Sequence, residues 1–269
     1  MYTFLVVGFD QVAYHTDTIM VGRLDTVNHT INVVSIPRDT LMNISGGTKK
    51  INELFLRGMN NTDGDQDAKL QGGIDRMLEG ITDILGFTPD VYAAVDLEAF
   101  VQLVDAIGGV DYDVPVDMNY YDPTQDLYIS IPAGEQHLDG EEALKVVRFR
   151  SGYATADLGR IEVQRSLVSA AIRQWVSPKG AIHLPQAVKL VADHTNTDLS
   201  TRNLLWLAES FLLCSRSDIR SATLPGYAAN FSSGSYYVLD AAGVADIVNQ
   251  YLNPYEKGAE AADLFIRNG

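Results

Sequence analysis

The sequence predicts an α/β protein, and three observations predict it. Short apolar runs, such as residues 3–8 and 31–36, read as buried strands. Longer stretches, such as residues 68–85, keep their apolar positions at helical spacing. The two kinds of segment succeed each other through short connections, without linker composition or internal repeat.

Residues 3–8 read as a buried strand closed by Gly8-Phe9-Asp10, which leaves a carboxylate at a strand end, where α/β sheets usually carry their sites. Residues 19–24 and 31–36, joined by a turn at 26–29, read as an antiparallel hairpin. Pro37 offers no N–H to a ladder, so Ser35-Ile36-Pro37-Arg38-Asp39-Thr40 ends the second strand. Asp10, Asp17, Arg38 and Asp39 are thus all expected at strand ends. Two carboxylates without a basic neighbour in sequence, Asp10 and Asp17, suit a hard divalent cation such as Mg²⁺. The plainer reading makes each aspartate a turn or cap residue.

A short helix starts at Lys49-Lys50-Ile51-Asn52 and carries Leu54 and Phe55. After a polar loop at 60–66, residues 68–85 form a helix with the stripe Leu70, Ile74, Leu78, Ile81 and Leu85, ended by Gly86. That stripe serves a core, or one wall of a long apolar slot. Residues 91–95 read as a strand, and 97–107 as a helix stopped by Gly108-Gly109. Residues 110–118 alternate like an edge strand, 119–124 read as a polar tyrosine-containing loop, and 127–131 as another strand.

Asp139-Gly140-Glu141-Glu142 has the pattern of a capping box, opening a helix that runs through Val147. In Arg148-Phe149-Arg150, extended backbone would send both guanidinium groups to one side and Phe149 to the other. A second helix begins near Asp157, with Ile161, Val168 and Trp175 as its apolar stripe, filled in by Ala171 and Ile172. Arg160 and Gln164 are four apart and share a face of it. Long polar donors therefore gather at a helix N-terminus, where free N–H groups and the dipole favour an anion. The planar fork of arginine suits phosphate or pyrophosphate. The competing reading is a solvated charged face with ordinary ion pairs.

Pro178 and Gly180 are expected to break that helix. Helices near 184–192, 201–214 and 241–252 follow, with strands at 219–224 and 236–239 between them. The whole reads as a single domain over residues 1–255, with residues 256–269 an acidic tail expected to fray.

Composition narrows the function. The 269 residues are 46% hydrophobic, enough for a well-packed globule. A net charge of −15 argues against non-specific nucleic-acid binding, which needs a basic footprint. Arginines can still cluster locally to bind an anion. No run of about 18 apolar residues spans a membrane. Met1-Tyr2 leads directly into Phe4-Leu5-Val6-Val7, so the natural chain is expected to begin earlier. Cys214 is the only cysteine, which excludes an internal disulfide and a cysteine-based zinc site; its apolar neighbours predict a buried, inert thiol.

Taken together, these segments resemble the LytR–CpsA–Psr family of cell-envelope phosphotransferases. The resemblance runs through Gly8-Phe9-Asp10, Asp17-Thr18-Ile19-Met20, Ser35-Ile36-Pro37-Arg38-Asp39, Lys50-Ile51-Asn52, Asp105-Ala106-Ile107-Gly108-Gly109-Val110 and His137-Leu138-Asp139-Gly140-Glu141. It continues through Val147-Arg148-Phe149-Arg150, Asp157-Leu158-Gly159-Arg160-Ile161, Thr197-Asp198-Leu199-Ser200 and Ser235-Tyr236-Tyr237-Val238-Leu239-Asp240, and so covers nearly the whole chain.

The resemblance implies a three-layer α/β/α sandwich around a mainly mixed sheet, displayed on the extracytoplasmic face of the membrane by an N-terminal single-pass anchor. It implies Mg²⁺-dependent transfer of a phosphoglycan (teichoic acid, capsule or a related polymer) from a polyprenyl-pyrophosphate carrier to a peptidoglycan sugar hydroxyl. By the same resemblance Asp10 and Asp17 would hold Mg²⁺, and Arg38, Arg148, Arg150, Arg160 and Gln164 would bind pyrophosphate. Lys50 would assist them, and Asp39 and Asp157 are the acidic residues of the site. Three departures stand out: a short loop from Asp10 to Asp17, His15 where the family often has arginine, and Val163 in place of a helix arginine that the neighbouring Arg165 could replace. The carrier's tail is expected along Leu70, Ile74, Leu78 and Ile81. Two other classes fit the same residues: a pyrophosphatase using water as nucleophile, and a non-catalytic envelope-binding or regulatory module.

Overall fold

The computed structural model describes the backbone of residues 1–10, 14–45, 49–123, 127–149, 157–176 and 178–267; the side chains of 157, 158, 160, 161, 178–182 and 216 lie outside that description. The chain gathers into two compact units, Met1–Asp96 with Ala222–Gly269, and Leu97–Ser221.

The first unit is built on β1 (Tyr2–Phe9), β2 (Thr16–Asp25), β3 (Thr30–Ser35) and β4 (Val91–Asp96), in the order β3-β2-β1-β4. β1 runs antiparallel to β2 and parallel to β4, so the sheet is mixed, as expected. The hairpin of β2 and β3 pairs Met20 with Ser35 and Asp25 with Thr30. Its turn is fastened by Asp25, whose carboxylate accepts from the Val27 and Asn28 N–H groups and the Asn28 amide.

Helices α1 (Leu54–Asn60) and α2 (Gln66–Leu85) follow. Asp65 caps α2 by accepting from the Ala68 N–H, and Gly86 ends it in a left-handed conformation. α1 and α2 press closely together: a Cβ on Gly73 would meet the Phe55 carbonyl at 3.0 Å, and one on Gly80 would meet a Leu54 methyl at 2.3 Å. Leu5, Val7 and Phe9 of β1 share one core with Leu54, Phe55, Ile74, Met77 and Ile81.

The second unit opens with α3 (Leu97–Ala106) and continues as β5 (Val110–Val114), β6 (Met118–Asp122), β7 (Leu127–Ile131) and β8 (Gly134–Leu138). β5 pairs with β8 and β6 with β7, both antiparallel. The strand expected over 110–118 thus stops at Val114, because Pro115 interrupts the ladder. Residues 119–122, read as part of a loop, continue a strand that starts at Met118, with further apolar positions supplied by its partner. β8 went unread for a similar reason: only Leu138 of its five side chains is buried.

α4 (Gly140–Arg148) has the full capping box at Asp139 and Glu142. Its first N–H, at Gly140, also donates to the Asp105 carboxylate at 2.7 Å, fastening it to α3. α5 (Asp157–Trp175), α6 (Pro178–His194), β9 (Asn196–Thr197) and α7 (Thr201–Leu212) complete the unit. The apolar stripe of α5 differs from the expected one. Val163 and Leu167 face the core with Val110, Tyr112 and Phe149, and Val168 is only half-buried. Pro178 starts α6 instead of ending a helix, since the first helical position needs no N–H. Cys214 is buried, as expected.

The chain returns to the first unit within β10 (Ile219–Thr223), then forms the hairpin of β11 (Gly226–Phe231) and β12 (Gly234–Leu239) and ends with α8 (Ala241–Ile247). Arg23 and Asn32 hold the turn beyond α8 through the carbonyls of Asn253 and Tyr251. The expectation of a frayed tail needs correction. Leu264 is buried in the first core, and the Phe265 N–H donates to the Asp83 carbonyl at 2.8 Å. One apolar side chain with a fitting recess anchors a segment that acidity alone would leave loose.

Candidate functional site

In the first unit, the sheet's irregularity places the first carboxylate. Gly8 pairs with Thr18 and Phe9 with Thr16, so Asp17 is the extra residue of a β-bulge on β2. A bulge redirects its side chain out of the ladder's regular alternation. The Asp17 carboxylate meets the Arg38 guanidinium at 2.5 Å. Arg38 sits in the turn that follows β3, closed by the Thr40 N–H and hydroxyl donating to the Pro37 carbonyl. Its neighbour Asp39 forms an ion pair with Lys50 at 2.9 Å. The Lys50 ammonium also lies 5.8 Å from the centre of the Tyr236 ring, within cation–π range.

Backbone bonds lock this turn from two sides. The Tyr237 N–H donates to the Asp39 carbonyl at 2.9 Å, and the Leu41 N–H to the Tyr237 carbonyl at 2.8 Å. The Tyr237 hydroxyl donates in turn to the Leu224 carbonyl, and burial raises its pKa. The Asn52 N–H donates to the Arg38 carbonyl, while the Asn52 carbonyl accepts from the Thr16 hydroxyl next to Asp17. Asn52 therefore joins the two backbones that carry the ion pair. The sequence showed it only as part of a motif. Its Oδ1 is buried and accepts no hydrogen bond, a feature visible only in three dimensions.

Asp10 follows the last residue of β1. Its N–H donates to the His15 carbonyl and its carbonyl accepts from the Tyr14 N–H. Tyr14 adopts φ 51° to do so, stacks on Phe9, and accepts from the Gln66 amide. Asp10 and Asp17 offer carboxylate oxygens, the donor type Mg²⁺ prefers, and Mg²⁺ commonly takes only one or two carboxylates from a protein. Among the described residues no group of three or more His, Cys, Asp and Glu gathers, so an ion here would be completed by waters and phosphate oxygens. The donor set fits that cation.

The apolar stripe of α2 has a core role. Ile74 and Ile81 are 1% and 0% exposed in the cluster with Phe55 and Met77, and Leu70 and Leu78 pack against its margin. Ile74 and Ile81 pack within the core of the first unit.

In the second unit, Gln164 is 5% exposed and its amide donates to the Val147 carbonyl at 3.2 Å. It thereby fastens the last turn of α4, the turn that carries Arg148, and Phe149 leaves that helix in extended backbone. Arg165 is tethered: its guanidinium donates to the carbonyl and hydroxyl of Ser221 at 3.1 and 3.0 Å and lies 3.5 Å from Glu162. That tether holds it against Ser221 of the same unit. Val163 points into the core, so it does not occupy a place from which a ligand is reached. Arg150 lies outside the described residues. The backbone of Asp157 and Arg160 is helical as expected, and their side chains lie outside the description.

Comparison with known proteins is consistent across the chain. Over 189 residues it is 29% identical to a Bacillus subtilis (strain 168) protein named polyisoprenyl-teichoic acid–peptidoglycan teichoic acid transferase TagV, covering 68% of this chain and 45% of that protein. Over 227 residues it is 26% identical to the regulatory protein MsrR of Staphylococcus aureus (strain COL), covering 82% of this chain and 63% of that one. The chain thus spans about half to two thirds of the length of these curated relatives. Its fold matches the crystal structure of B. subtilis TagV with a TM-score of 0.75 at 24% identity, covering 93% of this chain and 94% of that one. The model of the LytR_cpsA_psr family matches residues 1–252, from the first strand to the last turn of the C-terminal helix, and the chain belongs to that family.

Proposed function

We propose that this protein transfers a phosphoglycan from a polyprenyl-pyrophosphate carrier to a sugar hydroxyl of peptidoglycan, at the extracytoplasmic face of the membrane. The observation that carries the reading is the Asp17–Arg38 pair on a β-bulge, one residue from the Asp39–Lys50 pair. Two cations and two carboxylates are set on a strand bulge, the turn after β3 and the residue before a short helix, in a family that includes a protein named as a teichoic acid transferase.

Phosphoryl transfer asks a protein mostly for positioning and for charge opposite the phosphate oxygens. In this reading Arg38 and Lys50 face the pyrophosphate oxygens, with Arg148, Arg150 and Arg160 as further donors. The acceptor hydroxyl forms a new bond to the phosphorus next to the glycan, the bond to polyprenyl phosphate breaks, and the hydroxyl proton passes to Asp39 or Asp157. Mg²⁺ held by Asp10 and Asp17 supplies further neutralisation of the pyrophosphate when bound. Gln164 acts through the α4 turn that bears Arg148. None of the helices among the described residues is long and apolar enough to cross a membrane.

The test is transfer of a radiolabelled phosphoglycan from its polyprenyl-pyrophosphate donor to peptidoglycan fragments. Label should appear on the acceptor only when enzyme, donor and acceptor are all present. Phosphate released equally well without acceptor would instead identify a pyrophosphatase. Donor binding with neither product would leave a binding or regulatory module, the role that the name MsrR carries.

A further inference from the structure

The outward face of the β6–β7 ribbon presents side chains that its fold does not need. Met118, Leu127, Ile129 and Ile131 already anchor the ribbon in the core of the second unit. On the opposite face Tyr121 and Tyr128 stand directly across from each other, 68% and 64% exposed, with ring centres 6.5 Å apart and planes at 66°. The next pair on that face, Asn119 and Ser130, is polar and uncharged, and the Ser130 hydroxyl donates to the Asn119 amide oxygen at 3.4 Å. The step between the two pairs is about 7 Å along the strand. A cross-strand aromatic pair contributes only about 0.2–1 kcal/mol to a ribbon, little reason to hold two large rings in water.

The charge of the chain narrows the ligand. In the β5–β8 ribbon of the same unit Asp111, Asp113 and Glu135 are exposed, with Asp111 paired to His137 at 2.6 Å and Asp113 directly across from Glu135. Like charges so placed disfavour the pairing, yet both stay solvent-facing. Together with a net charge of −15, they repel an anionic polymer or an anionic lipid surface. A second copy of the chain would bring the same carboxylates against themselves. What fits tyrosine faces, an amide and a hydroxyl on a chain so charged is a ligand with apolar C–H faces, many hydroxyls and no negative charge.

We propose that the outward face of β6–β7, built by Tyr121, Tyr128, Asn119 and Ser130, is a docking surface for an uncharged glycan chain. Its identity as the acceptor polysaccharide rests on the transferase reading; the recognition chemistry does not.

The experiment titrates the N-acetylglucosamine tetramer into the whole chain and follows binding by NMR, with inorganic pyrophosphate titrated in parallel. Tyr121→Ala/Tyr128→Ala should weaken tetramer binding at least about tenfold, and Tyr121→Phe/Tyr128→Phe should hold it within a few-fold, because the ring faces remain. Ser130→Arg, which crowds the face without removing a ring, should weaken it as the alanines do. Pyrophosphate binding should stay unchanged in all three, which also reports that they fold. Tetramer binding that is absent from the natural chain, or equal in the double alanine variant, overturns the surface. So does tyrosine-dependent binding to anionic vesicles or tyrosine-dependent dimerisation. Loss of pyrophosphate binding in the natural chain, with tetramer binding kept, would overturn the transferase reading and leave the docking surface standing.

Discussion

Asp17 and Arg38 meet at 2.5 Å although 21 residues separate them, and a β-bulge makes the meeting possible. In a regular ladder, alternation alone would decide which way residue 17 points. The extra residue between the Gly8–Thr18 and Phe9–Thr16 pairs frees it from that rule. The pair is open to water on one side, with the Asp17 side chain 37% exposed, so its value to stability is small. Its value lies in presenting a fixed cation beside fixed carboxylates.

Arg38→Ala should therefore separate function from folding. Transfer should fall by about 100-fold or more, in line with loss of one preorganised electrostatic donor. The unfolding free energy should change by less than about 1 kcal/mol. Arg38→Lys should recover only part of the rate, since an ammonium cannot offer a planar fork to a phosphate. Transfer assays and chemical denaturation of the same samples check both halves. Full transfer by the alanine variant would remove Arg38 from the site.

Dependence on metal follows from the donor set at Asp10 and Asp17. A chelator should abolish transfer, and added Mg²⁺ should restore it. Asp10→Asn keeps the shape and loses the charge, so it should raise the Mg²⁺ concentration needed for half-maximal rate and leave thermal stability near that of the natural chain. A rate indifferent to chelator would take Mg²⁺ out of the mechanism.

Gln164 is a structural prediction. Its side chain is buried, and its amide satisfies the Val147 carbonyl at the end of α4. Gln164→Ala leaves that carbonyl without its side-chain partner and opens space, at a cost of about 1–3 kcal/mol. The same change should loosen the turn that carries Arg148, so donor affinity should drop together with stability. Denaturant titration and donor binding, measured side by side, check the link.

Particular residues show what the sequence could and could not convey. The capping box at Asp139 was legible because its chemistry is local: residues three apart on one helix end bond each other. The parallel pairing of β1 and β4 was not, since it depends on which strand edge the crossover returns to. At the site, strand ends were legible from Pro37 and from Gly8-Phe9-Asp10. The bulge at Asp17, the Asn52 bridge to the Arg38 carbonyl, and the tether of Arg165 to Ser221 were not. Each joins residues that are not sequence neighbours, and residue type alone does not reveal it. Arg165 illustrates the point: its bonds to Ser221 belong to no local motif.

The last prediction concerns pH and the far end of α2. Asp83 lies in the last turn of that helix, where the dipole is negative, and its pKa is raised above the ordinary carboxylate value, chiefly by burial and further by Glu79, with Arg76 opposing. A carboxyl whose folded pKa lies above its unfolded value binds its proton more tightly when folded. Its contribution to stability is therefore fully present below the unfolded pKa of about 3.9, and is lost as pH rises through the folded value. At neutral pH the charged Asp83 is a liability. Asp83→Asn should accordingly stabilise the protein at pH 7 by about 0.3–1 kcal/mol, the size of a charge–dipole effect near a helix end. Near pH 3, where Asp83 is already protonated, the gain should vanish. Its backbone carbonyl still accepts from Phe265 in the variant, so the tail contact is not at stake. Thermal unfolding of both proteins between pH 3 and pH 7 checks the sign. An asparagine variant that is less stable at pH 7 would mean that the Asp83–Arg76 attraction outweighs burial and dipole together.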